Sequence, residues 1–332
     1  MTTLNQQIIV KSFPTGWITE DNFSLISSPI PSIKNGQVLI KNDWLSLDPY
    51  MRGRLSNAKS YAKGVEIGQV MVGGTVGTVI ESLSPKFKVG DQVAGSTGWQ
   101  LYAVAEDIAI RKIDTSKVPS SAHLGPIGMP GVTAWKGLIV ICDPKPGETV
   151  VVDAATGAVG SVVGQLAKAR GCRVVGIAGG KAKCDYAINE LNLDACIDHK
   201  SPNFQDDIKA ALPQGIDCLY ENVGGMVFDT LLSLMNPFAR IAVCGLVSEY
   251  NVEPYSYTNV RSILINRLKI QGFIVNDDQS NIPGIMKSLY EELVNGRLKY
   301  KETIAHGLEN APKALIGLLK GENFGKQLVK LS

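Results

Sequence analysis

The sequence predicts an α/β protein with two domains, one built around a doubly wound parallel sheet and one of the β-barrel type. A chain of 332 residues is too long for one small core and suits two domains. Up to about residue 125, short alternating or β-branched runs such as "GGTVGTVIESL" are separated by turn residues, which is typical of barrel-like domains. Further along, apolar strand-like runs alternate with helical periodicity, and this alternation predicts βαβ units in a parallel sheet.

The elements of the second part follow from this alternation. We expect strands at residues 149–154, 173–178, 195–198, 215–221, 240–246 and 268–275. We expect helices at residues 159–170, 181–191, 204–212, 227–234 and 283–295. The tail carries a short helix pattern and a final strand, which we expect to fold back on the first domain. We therefore assign residues 1–125 and 299–332 to the barrel-like domain and residues 126–298 to the α/β domain.

Composition and charge indicate an ordinary globular protein. Hydrophobic residues make up 45% and charged residues 19%, and a formal net charge of +2 gives no support for a nucleic-acid partner. The N-terminal segment has no basic stretch before an apolar core, and no run of about eighteen apolar residues occurs, so we expect a cytoplasmic protein without membrane contact. The six cysteines include no CxxC pair, and we interpret them as reduced, mostly buried thiols.

A turn rich in small residues follows the first strand of the α/β domain. In "TVVVDAATGAVG", Ala155, Gly157 and Gly160 occupy the small-residue positions of G-x-G-x-x-G, with alanine in the first. Small residues allow the backbone to approach a pyrophosphate, and the amides of Val159, Gly160 and Ser161 would point at it from the helix start. The alternative is that the small residues only let the helix pack closely on the sheet. The strand–turn–helix order favours a dinucleotide site.

The second strand of this domain indicates which dinucleotide binds. An NAD site usually ends this strand with Asp or Glu, whose carboxylate binds the ribose hydroxyls. Here the strand ends in Gly179 and Gly180, followed by Lys181 and Lys183. The missing carboxylate leaves room for a 2′-phosphate, and a lysine supplies positive charge. The pattern favours NADP over NAD, although either lysine taken singly is as typical of a solvated helix face.

The sequence supports neither zinc chemistry nor nucleophilic catalysis. A zinc alcohol dehydrogenase needs cysteine, histidine and carboxylate ligands, but His123, His199 and His306 lie far apart and no cysteine precedes Cys142. We interpret His123 as a loop or core histidine and His306 as a surface one. No G-x-S-x-G motif occurs either. We therefore expect no metal, and a hydride acceptor would have to be activated without one.

Several motifs in combination resemble one family. The chain contains "LSLDPYMRGR", "AATGAVGSVVGQLAK", "ENVGG", "CGLVSEYN" and "GENFGK" in this order. It resembles the zinc-free medium-chain dehydrogenase/reductases and, within them, the leukotriene B4 dehydrogenase/prostaglandin reductase and alkenal double-bond reductase family, with greatest similarity to bacterial NADPH-dependent curcumin reductases. The resemblance implies a Rossmann sheet that binds NADP plus a GroES-like β-barrel domain that contributes substrate and catalytic residues. Where zinc-dependent relatives read Gly-His-Glu, this chain reads Gly68-Gln69-Val70.

The family implies that NADPH delivers a hydride to the β-carbon of an α,β-unsaturated ketone or aldehyde, and that the enolate is protonated at the α-carbon. The enolate oxygen needs a donor, either a tyrosine hydroxyl or the cofactor ribose 2′-OH. Tyr250 in "SEYN" matches the family tyrosine that contacts cofactor or substrate, and it is our first choice. The resemblance places Tyr50 in "DPYMR" and Tyr61 in "SYAKG" on the substrate side, although each by itself is more typical of a packed or turn tyrosine. Arg52 is left outside the catalytic set.

The resemblance also implies the cofactor contacts. Lys183 matches the family lysine at the 2′-phosphate, and His199 stands where many members have a tyrosine. The other expected cofactor-binding residues are Ala158, Val159, Gly160, Ser161, Asn222, Cys244, Gly245, Leu246, Val247, Ser248, Tyr250, Phe273, Ile274, Val275 and Asn323. Asn323 is equally typical of a turn beside glycine. Met129 and Thr133 are further candidates for nicotinamide contact, with a helix start as an equally good account.

Two other functions stay open at this point. One is an NADPH quinone oxidoreductase, against which "SEYN" and "DPYMR" argue, and the other is a non-catalytic NADPH-binding redox sensor or structural protein, against which the intact tyrosines and phosphate site argue. The substrate is expected to be a small enone or enal. We expect "LKIQGFIV" to be an exposed sheet edge that pairs with a second copy, which favours a homodimer.

Overall fold

The computed structural model describes residues 4–331. Its strands are β1 (Leu4–Val10), β2 (Phe23–Pro29), β3 (Gln37–Ser46), β4 (Thr75–Ser82), β5 (Gln92–Gly95), β6 (Tyr102–Glu106), β7 (Ile110–Lys112), β8 (Thr149–Val152), β9 (Arg173–Ala178), β10 (Ala195–Asp198), β11 (Ile216–Glu221), β12 (Met235–Val243), β13 (Lys269–Gly272), β14 (Glu302–His306) and β15 (Lys326–Lys330). Its helices are α1 (Met51–Arg54), α2 (Met129–Trp135), α3 (Gly160–Ala169), α4 (Lys181–Asn189), α5 (Phe204–Ala211), α6 (Gly225–Leu232), α7 (Arg261–Ile265), α8 (Ile282–Val294) and α9 (Ala311–Leu319). The π-helical stretch Lys136–Cys142 continues α2. No helix within the described residues has the length and apolarity needed to cross a lipid bilayer.

The chain divides into two compact units. The N-terminal unit consists of Met1–Leu124 together with Glu302–Ser332, and the α/β unit is Gly125–Lys301. The main sheet of the N-terminal unit has the strand order β14-β15-β3-β4-β5-β7, with β6 paired to β3. Its pairings are antiparallel except for that of β14 with β15. Because β15 pairs with β3, the end of the chain lies beside the strand that leads into Asp48.

Six parallel strands form the sheet of the α/β unit, in the order β10-β9-β8-β11-β12-β13. The chain runs outwards from β8 to β10 and then crosses back to β11, so the strand order reverses between β8 and β11. In doubly wound sheets of this kind, ligands bind beyond the carboxyl ends of the strands at the reversal. The parallel sheet and the separate antiparallel sheet confirm the predicted fold class.

The core of the α/β unit explains its apolar strands. All four residues of β8 are buried. Val151 packs in one cluster with Phe204 and Ile208 of α5 and Leu231 of α6. In addition, α3 contacts β8 and β9, and the π-helical stretch contacts β11 and β12. A strand covered by helices on both faces needs a nearly continuous apolar sequence, as "TVVV" has.

Some elements differ in extent from the sequence-based expectation. The strand expected at 268–275 comprises only Lys269–Gly272, because Ile274 donates its amide to the Asp277 carboxylate at 2.8 Å and the chain turns away. The strand expected at 240–246 is Met235–Val243, and beyond it the Cys244 amide donates to the Glu221 carbonyl at 2.8 Å, across the end of β11. The sequence pattern did not predict α7, which has only 5 residues.

The six cysteines are all free thiols. Cys142, Cys172, Cys184 and Cys218 are buried, and Cys196 and Cys244 are half-buried. Their placement agrees with the interpretation of reduced, mostly buried thiols.

Replacing Ile208 by alanine should lower the free energy of unfolding by about 2–5 kcal/mol, because this fully buried side chain packs α5 against the sheet. Lys209 is exposed on the same helix, and Lys209→Ala should change that free energy by less than about 0.5 kcal/mol. Urea unfolding followed by circular dichroism measures both variants. Equal losses would contradict the packing of α5 on this face.

Candidate functional site

The turn after β8 is closed tightly against the start of α3. Ala154 has a φ of 45°, and its carbonyl accepts the Gly157 amide at 2.8 Å. A Cβ on Gly160 would lie 2.3 Å from that carbonyl oxygen, so the turn requires glycine there. Val159, the residue that caps α3, makes no side-chain hydrogen bond to the helix. The Ser161 amide donates to the Gly157 carbonyl at 3.1 Å, so the positive end of α3 offers a ligand the amides before Ser161. All four residues predicted to bind the pyrophosphate lie at this helix start.

Basic side chains gather where β9 and β10 end. A Cβ on Gly179 would lie 2.9 Å from His199 Nε2 and 3.1 Å from Lys200 Cε, so these two side chains flank the glycine. Gly180 has a φ of 96°, which favours glycine, and its amide donates to Asp198 Oδ1 at 2.8 Å. The Lys200 amide donates to the same oxygen at 2.9 Å. Asp198 therefore holds the turn that brings His199 and Lys200 to the end of β9.

The electrostatics of this cluster favour an anion. Burial lowers the pKa of Lys183, and the charge of Lys200 lowers it further. Burial also lowers the pKa of His199, with contributions from Lys200 and Lys183 that oppose the effect of Asp198. The imidazole is therefore neutral near pH 7 and offers one donor and one acceptor. A phosphate at this position would favour the charged forms of both lysines.

A pocket of about 410 Å³ lies beyond the carboxyl ends of β12 and β13. Among its walls are several residues predicted to bind the cofactor: Cys244, Gly245, Leu246, Tyr250, Phe273 and Ile274. Two others, Val247 and Ser248, belong to the helical turn Val247–Glu249. Val275 accepts Lys136 Nζ at 2.9 Å through its backbone carbonyl. The structure thus brings most of the predicted nicotinamide-side residues to one edge of the sheet.

Tyr250 and Asn222 both lie close to Gly245. A Cβ on Gly245 would lie 3.1 Å from the Tyr250 hydroxyl oxygen and 3.3 Å from the Asn222 carbonyl oxygen. The Asn222 side chain donates to the Asp153 carbonyl at 3.1 Å and to its carboxylate at 3.2 Å. Desolvation raises the pKa of Cys244 to about 12, so this neighbour is a neutral thiol at physiological pH. The hydroxyl of Tyr250 occupies space that a side chain at Gly245 would fill.

Two carboxylates anchor the loop that follows Tyr250. The Glu249 side chain accepts the Gly225 amide at 3.1 Å and the Tyr257 hydroxyl. Asp229 of α6 accepts two consecutive loop amides at 2.9 and 2.8 Å. The loop is therefore fixed to α6 at several points, which limits the positions that Tyr250 can adopt.

Tyr50 and Tyr61, the other predicted catalytic tyrosines, share a partner within the N-terminal unit. The Arg54 guanidinium lies 5.4 Å from the ring centroid of Tyr50 and 4.9 Å from that of Tyr61, both cation–π distances. Tyr61 is 58% exposed. Burial, assisted by the charge of Asp48, raises the pKa of Tyr50, so its hydroxyl stays protonated and can donate a hydrogen bond. Arg52 instead donates to a backbone carbonyl at 2.8 Å.

A buried ion pair supports the segment that carries Tyr50. Lys326 is 2% exposed and donates to the Asp48 carboxylate at 3.0 Å and to two backbone carbonyls at 2.5 and 3.1 Å. The pair joins the start of β15 to the residues just before Tyr50. Asn323 donates its side-chain amide to the Gly325 carbonyl at 2.7 Å, the contact of a turn asparagine. A contact of Asn323 with the cofactor stays a prediction.

The remaining candidates have structural partners. Thr133 donates its hydroxyl to the Met129 carbonyl at 2.8 Å within α2. His123 is buried, with its Nε2 3.0 Å from the Asp114 carbonyl, and His306 is exposed. In the part of the chain that the structure describes, no three His, Cys, Asp or Glu side chains are grouped as a metal site would require.

Sequence reasoning does not identify four residues that lie in or beside these sites: Lys200, Arg54, Asp153 and Glu221. An acidic residue at the end of an apolar run is a signal for Asp153 and Glu221, because the carboxyl ends of neighbouring parallel strands meet at one edge. No local signal marks Lys200 or Arg54. Lys200 and Arg54 become candidates for the site only because the fold brings other side chains close to them.

The fold and these sites define a class of protein, a two-unit dehydrogenase with a nucleotide-binding sheet. Two family models match the chain: an N-terminal domain of oxidoreductases at residues 6–113 and a zinc-binding dehydrogenase domain at residues 158–291. An NADPH-dependent curcumin reductase of Escherichia coli is 45% identical over 99% of this chain and 97% of its own length. A 2-alkenal reductase (NADP(+)-dependent) of Nicotiana tabacum is 41% identical over 99% of this chain and 98% of its own length.

A solved structure gives the same result. The crystal structure of CurA in complex with NADPH from Vibrio vulnificus matches with a TM-score of 0.94 and 46% identity, covering 98% of this chain and 99% of that one. The chain belongs to the medium-chain dehydrogenase/reductase family that contains the curcumin, alkenal and prostaglandin reductases. The resemblance inferred from the motifs is thereby confirmed.

The residues of the α/β unit fit NADP. The start of α3 has no side-chain cap at Val159, and the absence of a side chain at Gly160 lets the turn before it close tightly against the helix start. At the end of β9, Lys183 and Lys200 offer positive charge, while the Asp198 carboxylate oxygen Oδ1 already accepts two backbone amides. This arrangement suits a 2′-phosphate better than a bare ribose hydroxyl.

Lys183→Ala should raise the dissociation constant of NADPH by about 10- to 100-fold, because a charge-assisted contact contributes about 1.5–3 kcal/mol. The dissociation constant of NADH, which lacks the 2′-phosphate, should stay within about twofold of wild type. Lys181 on the same helix is 86% exposed and paired with Asp185 at 2.6 Å, so Lys181→Ala is the matched control. Nicotinamide fluorescence titration measures these dissociation constants for wild type and for both variants. Equal effects of the two substitutions would remove Lys183 from the phosphate site.

Proposed function

We propose that this protein uses NADPH to reduce the carbon–carbon double bond of α,β-unsaturated ketones and aldehydes without a metal ion. The chain is an NADP-dependent oxidoreductase, and its relatives include proteins named curcumin reductase, 2-alkenal reductase and prostaglandin reductase. The observation that supports the proposal most directly is the Tyr250 hydroxyl beside Gly245, at the edge of the pocket beyond β12 and β13.

The chemistry assigned to the chain is donation of a hydrogen bond and positioning of the substrate. NADPH, when bound, supplies the hydride that adds to the β-carbon. Negative charge then develops on the substrate oxygen, and Tyr250 Oη donates a hydrogen bond to it. Tyr50 and Tyr61, both against Arg54, are the two other tyrosines that we propose as catalytic residues. The α-carbon takes a proton from solvent, so the double bond gains one hydride and one proton.

The cofactor contacts follow the order of the strands. We assign the pyrophosphate to residues 158–161 at the start of α3 and the 2′-phosphate to Lys183 and His199, with Lys200 beside them. Asn222, residues 244–248 and residues 273–275 bind the nicotinamide half. These assignments make the α/β unit the NADP-binding unit, and Asn323 stays a separate prediction.

An assay with three acceptors tests the proposed function. The purified protein is mixed with NADPH and either trans-2-hexenal, curcumin or a quinone, and nicotinamide absorbance is followed while mass spectrometry identifies the product. We expect oxidation of NADPH with formation of the saturated aldehyde. Reduction of the quinone alone would favour a quinone oxidoreductase, and binding of NADPH without turnover of any acceptor would favour a non-catalytic protein.

Tyr250→Phe should lower kcat for the enal by about 100-fold, the usual loss when one donor to a developing oxyanion is removed. The dissociation constant of NADPH should change by less than about threefold, because the ring remains. Tyr255 lies in the same loop and is 37% exposed, so Tyr255→Phe removes a comparable hydroxyl as a control. Stopped-flow measurement of NADPH oxidation compares the variants. Activity of Tyr250→Phe equal to wild type on every enone would exclude this hydroxyl as the donor.

We propose also that the protein is a homodimer formed through β13. This strand is the last in its sheet, and its four residues are exposed. Leu264 and Ile265 of the preceding helix α7 are 78% and 53% exposed. An unpaired edge strand next to apolar side chains favours pairing with a second copy, and a two-fold axis would bring β13 against β13.

Ile270→Lys should convert the dimer to a monomer, because a lysine on the edge strand would be desolvated beside its own copy. Ile188 of α4 is 40% exposed, close to the 38% of Ile270, and α4 packs on β9 and β10 towards the opposite edge of the sheet. Ile188→Lys is therefore the control and should stay dimeric. Size-exclusion chromatography with light scattering gives the masses. A monomeric wild-type protein would refute the dimer.

A further inference from the structure

Two carboxyl groups lie buried side by side where β8 and β11 end. Asp153 directly follows β8, Glu221 is the last residue of β11, and both are 0% exposed. The two strands are parallel neighbours in which Tyr220 is level with Val152, so Glu221 is level with Asp153. Neither residue takes part in the reaction proposed above.

Both carboxyl groups bind backbone amides of the turn that leads into α6. Asp153 accepts the Asn222 amide at 2.7 Å with Oδ1 and the Val223 amide at 3.2 Å with Oδ2. Glu221 Oε1 accepts the Val223 amide at 2.7 Å and the Gly224 amide at 2.6 Å. Three consecutive amides are therefore held by these two side chains, and the side chain of Asn222 is tied to Asp153 as well.

The geometry shows where a proton must reside. Glu221 Oε2 is buried and has no N–H or O–H partner among the described residues. Glu221 lies level with Asp153 on the neighbouring strand, and two adjacent buried carboxyl groups without a cationic partner cannot both be ionised, so one of them is protonated. Burial raises the pKa of Glu221 well above its ordinary value, and the charge of Asp153 raises it further. Burial also raises the pKa of Asp153, but the hydrogen bonds that its carboxylate accepts from Asn222 and Val223 oppose the rise, so we place the proton on Glu221, whose Oε2 accepts none.

The other titratable groups around the pair do not neutralise a second negative charge. They are Tyr220 of β11, Cys244 after β12, and Tyr257 and Glu249, which both contact the Gly225 amide. Burial raises the pKa of both tyrosines and of the thiol, so all three stay neutral through the physiological range. Glu249 is itself acidic. Ionisation of both Asp153 and Glu221 would place two uncompensated charges in one buried site.

We propose that Asp153 and Glu221 form a carboxyl pair with a single proton that positions the 222–225 turn for NADPH, and that loss of this proton weakens NADPH binding. Both are positioning residues, because they act through Asn222 and the amides of the turn. The inference deepens the proposed function and rests on it for the use of Asn222 as a cofactor contact.

The direction in which stability changes with pH follows from the thermodynamic linkage between folding and proton binding. A carboxyl group whose pKa is raised by folding is bound to its proton more tightly in the folded protein than in the unfolded one. The free energy of unfolding therefore falls as the pH rises above the ordinary carboxyl value, and it stops falling above the folded-state pKa. The pyrophosphate of NADPH brings further negative charge to the same edge of the sheet, so binding and retention of the proton favour each other.

Glu221→Gln is the decisive variant. Glutamine has the shape of the protonated acid and keeps an acceptor oxygen for the turn amides, but it cannot ionise. The dissociation constant of NADPH is measured by nicotinamide fluorescence from about pH 6 to about pH 9.5. We expect wild type and Glu221→Gln to bind equally at the acid end, and Glu221→Gln to bind at least about tenfold more tightly at the alkaline end.

Two further variants separate this effect from general changes in charge. Asp153→Asn places an NH2 group where turn amides need an acceptor, so its dissociation constant should rise about tenfold at every pH. Asp217 lies near the other end of β11 and accepts the Thr149 amide at 2.8 Å, so Asp217→Asn should follow the wild-type pH profile. Titration of Lys183 affects NADPH binding alike in all these proteins. It therefore cancels in the ratio of the dissociation constant of wild type to that of Glu221→Gln.

The thermal unfolding midpoint of the protein without cofactor, recorded over the same pH range, is the second readout. Wild type should lose stability towards alkaline pH more steeply than Glu221→Gln. A Glu221→Gln protein that follows wild type in both readouts, or that fails to fold near pH 6, would overturn the proposal, because a neutral Glu221 is the state the pair requires.

Normal NADPH binding without reduction of any enone would refute the proposed function and leave this test valid. A wild-type protein that does not bind NADPH would refute both.

Discussion

The parallel pairing of β8 with β11 is the interaction on which the α/β unit depends. It lies where the strand order reverses, so the loops after these two strands separate and leave the carboxyl edge accessible. On one side stands the positive end of α3, which suits an anionic cofactor. On the other stand Asp153 and Glu221, whose amide contacts shape the turn into α6. Sharing one proton limits this acidic pair to a single negative charge beside the cofactor site.

Glycines help to position the functional groups of this unit, because the backbone at a glycine can approach a neighbouring group closely. A Cβ at Gly160 would collide with the Ala154 carbonyl, and one at Gly179 with His199. A Cβ at Gly245 would press on the Tyr250 hydroxyl. In each case a side chain would crowd a neighbour, and at Gly179 and Gly245 that neighbour is a proposed contact with cofactor or substrate. These close contacts restrict the positions of the functional groups more tightly than side-chain packing alone would.

The N-terminal unit relies on two cations in different surroundings. Lys326 is fully buried, and taking an ammonium out of water costs several kcal/mol, which its carboxylate and two carbonyl partners offset. Its rigid contact with Asp48 supports the residues just before Tyr50. Arg54 is half-buried and lies against two aromatic rings, where a planar guanidinium keeps its edge available for hydrogen bonds. One cation stabilises the fold, and the other holds two predicted catalytic tyrosines together.

The sequence by itself determined the fold class, the cofactor type and the family. Periodicity, the small residues before α3 and the missing carboxylate after β9 are local features that need no knowledge of distant segments. The end of β13 could not be predicted from such local features. The turn at Asp277 ends the strand within an apolar stretch whose sequence is typical of a longer strand. Only the tertiary structure decided that Asp153 binds the turn at Asn222, 69 positions away. Which carboxyl groups share a buried proton depends on the register of strands far apart in the chain.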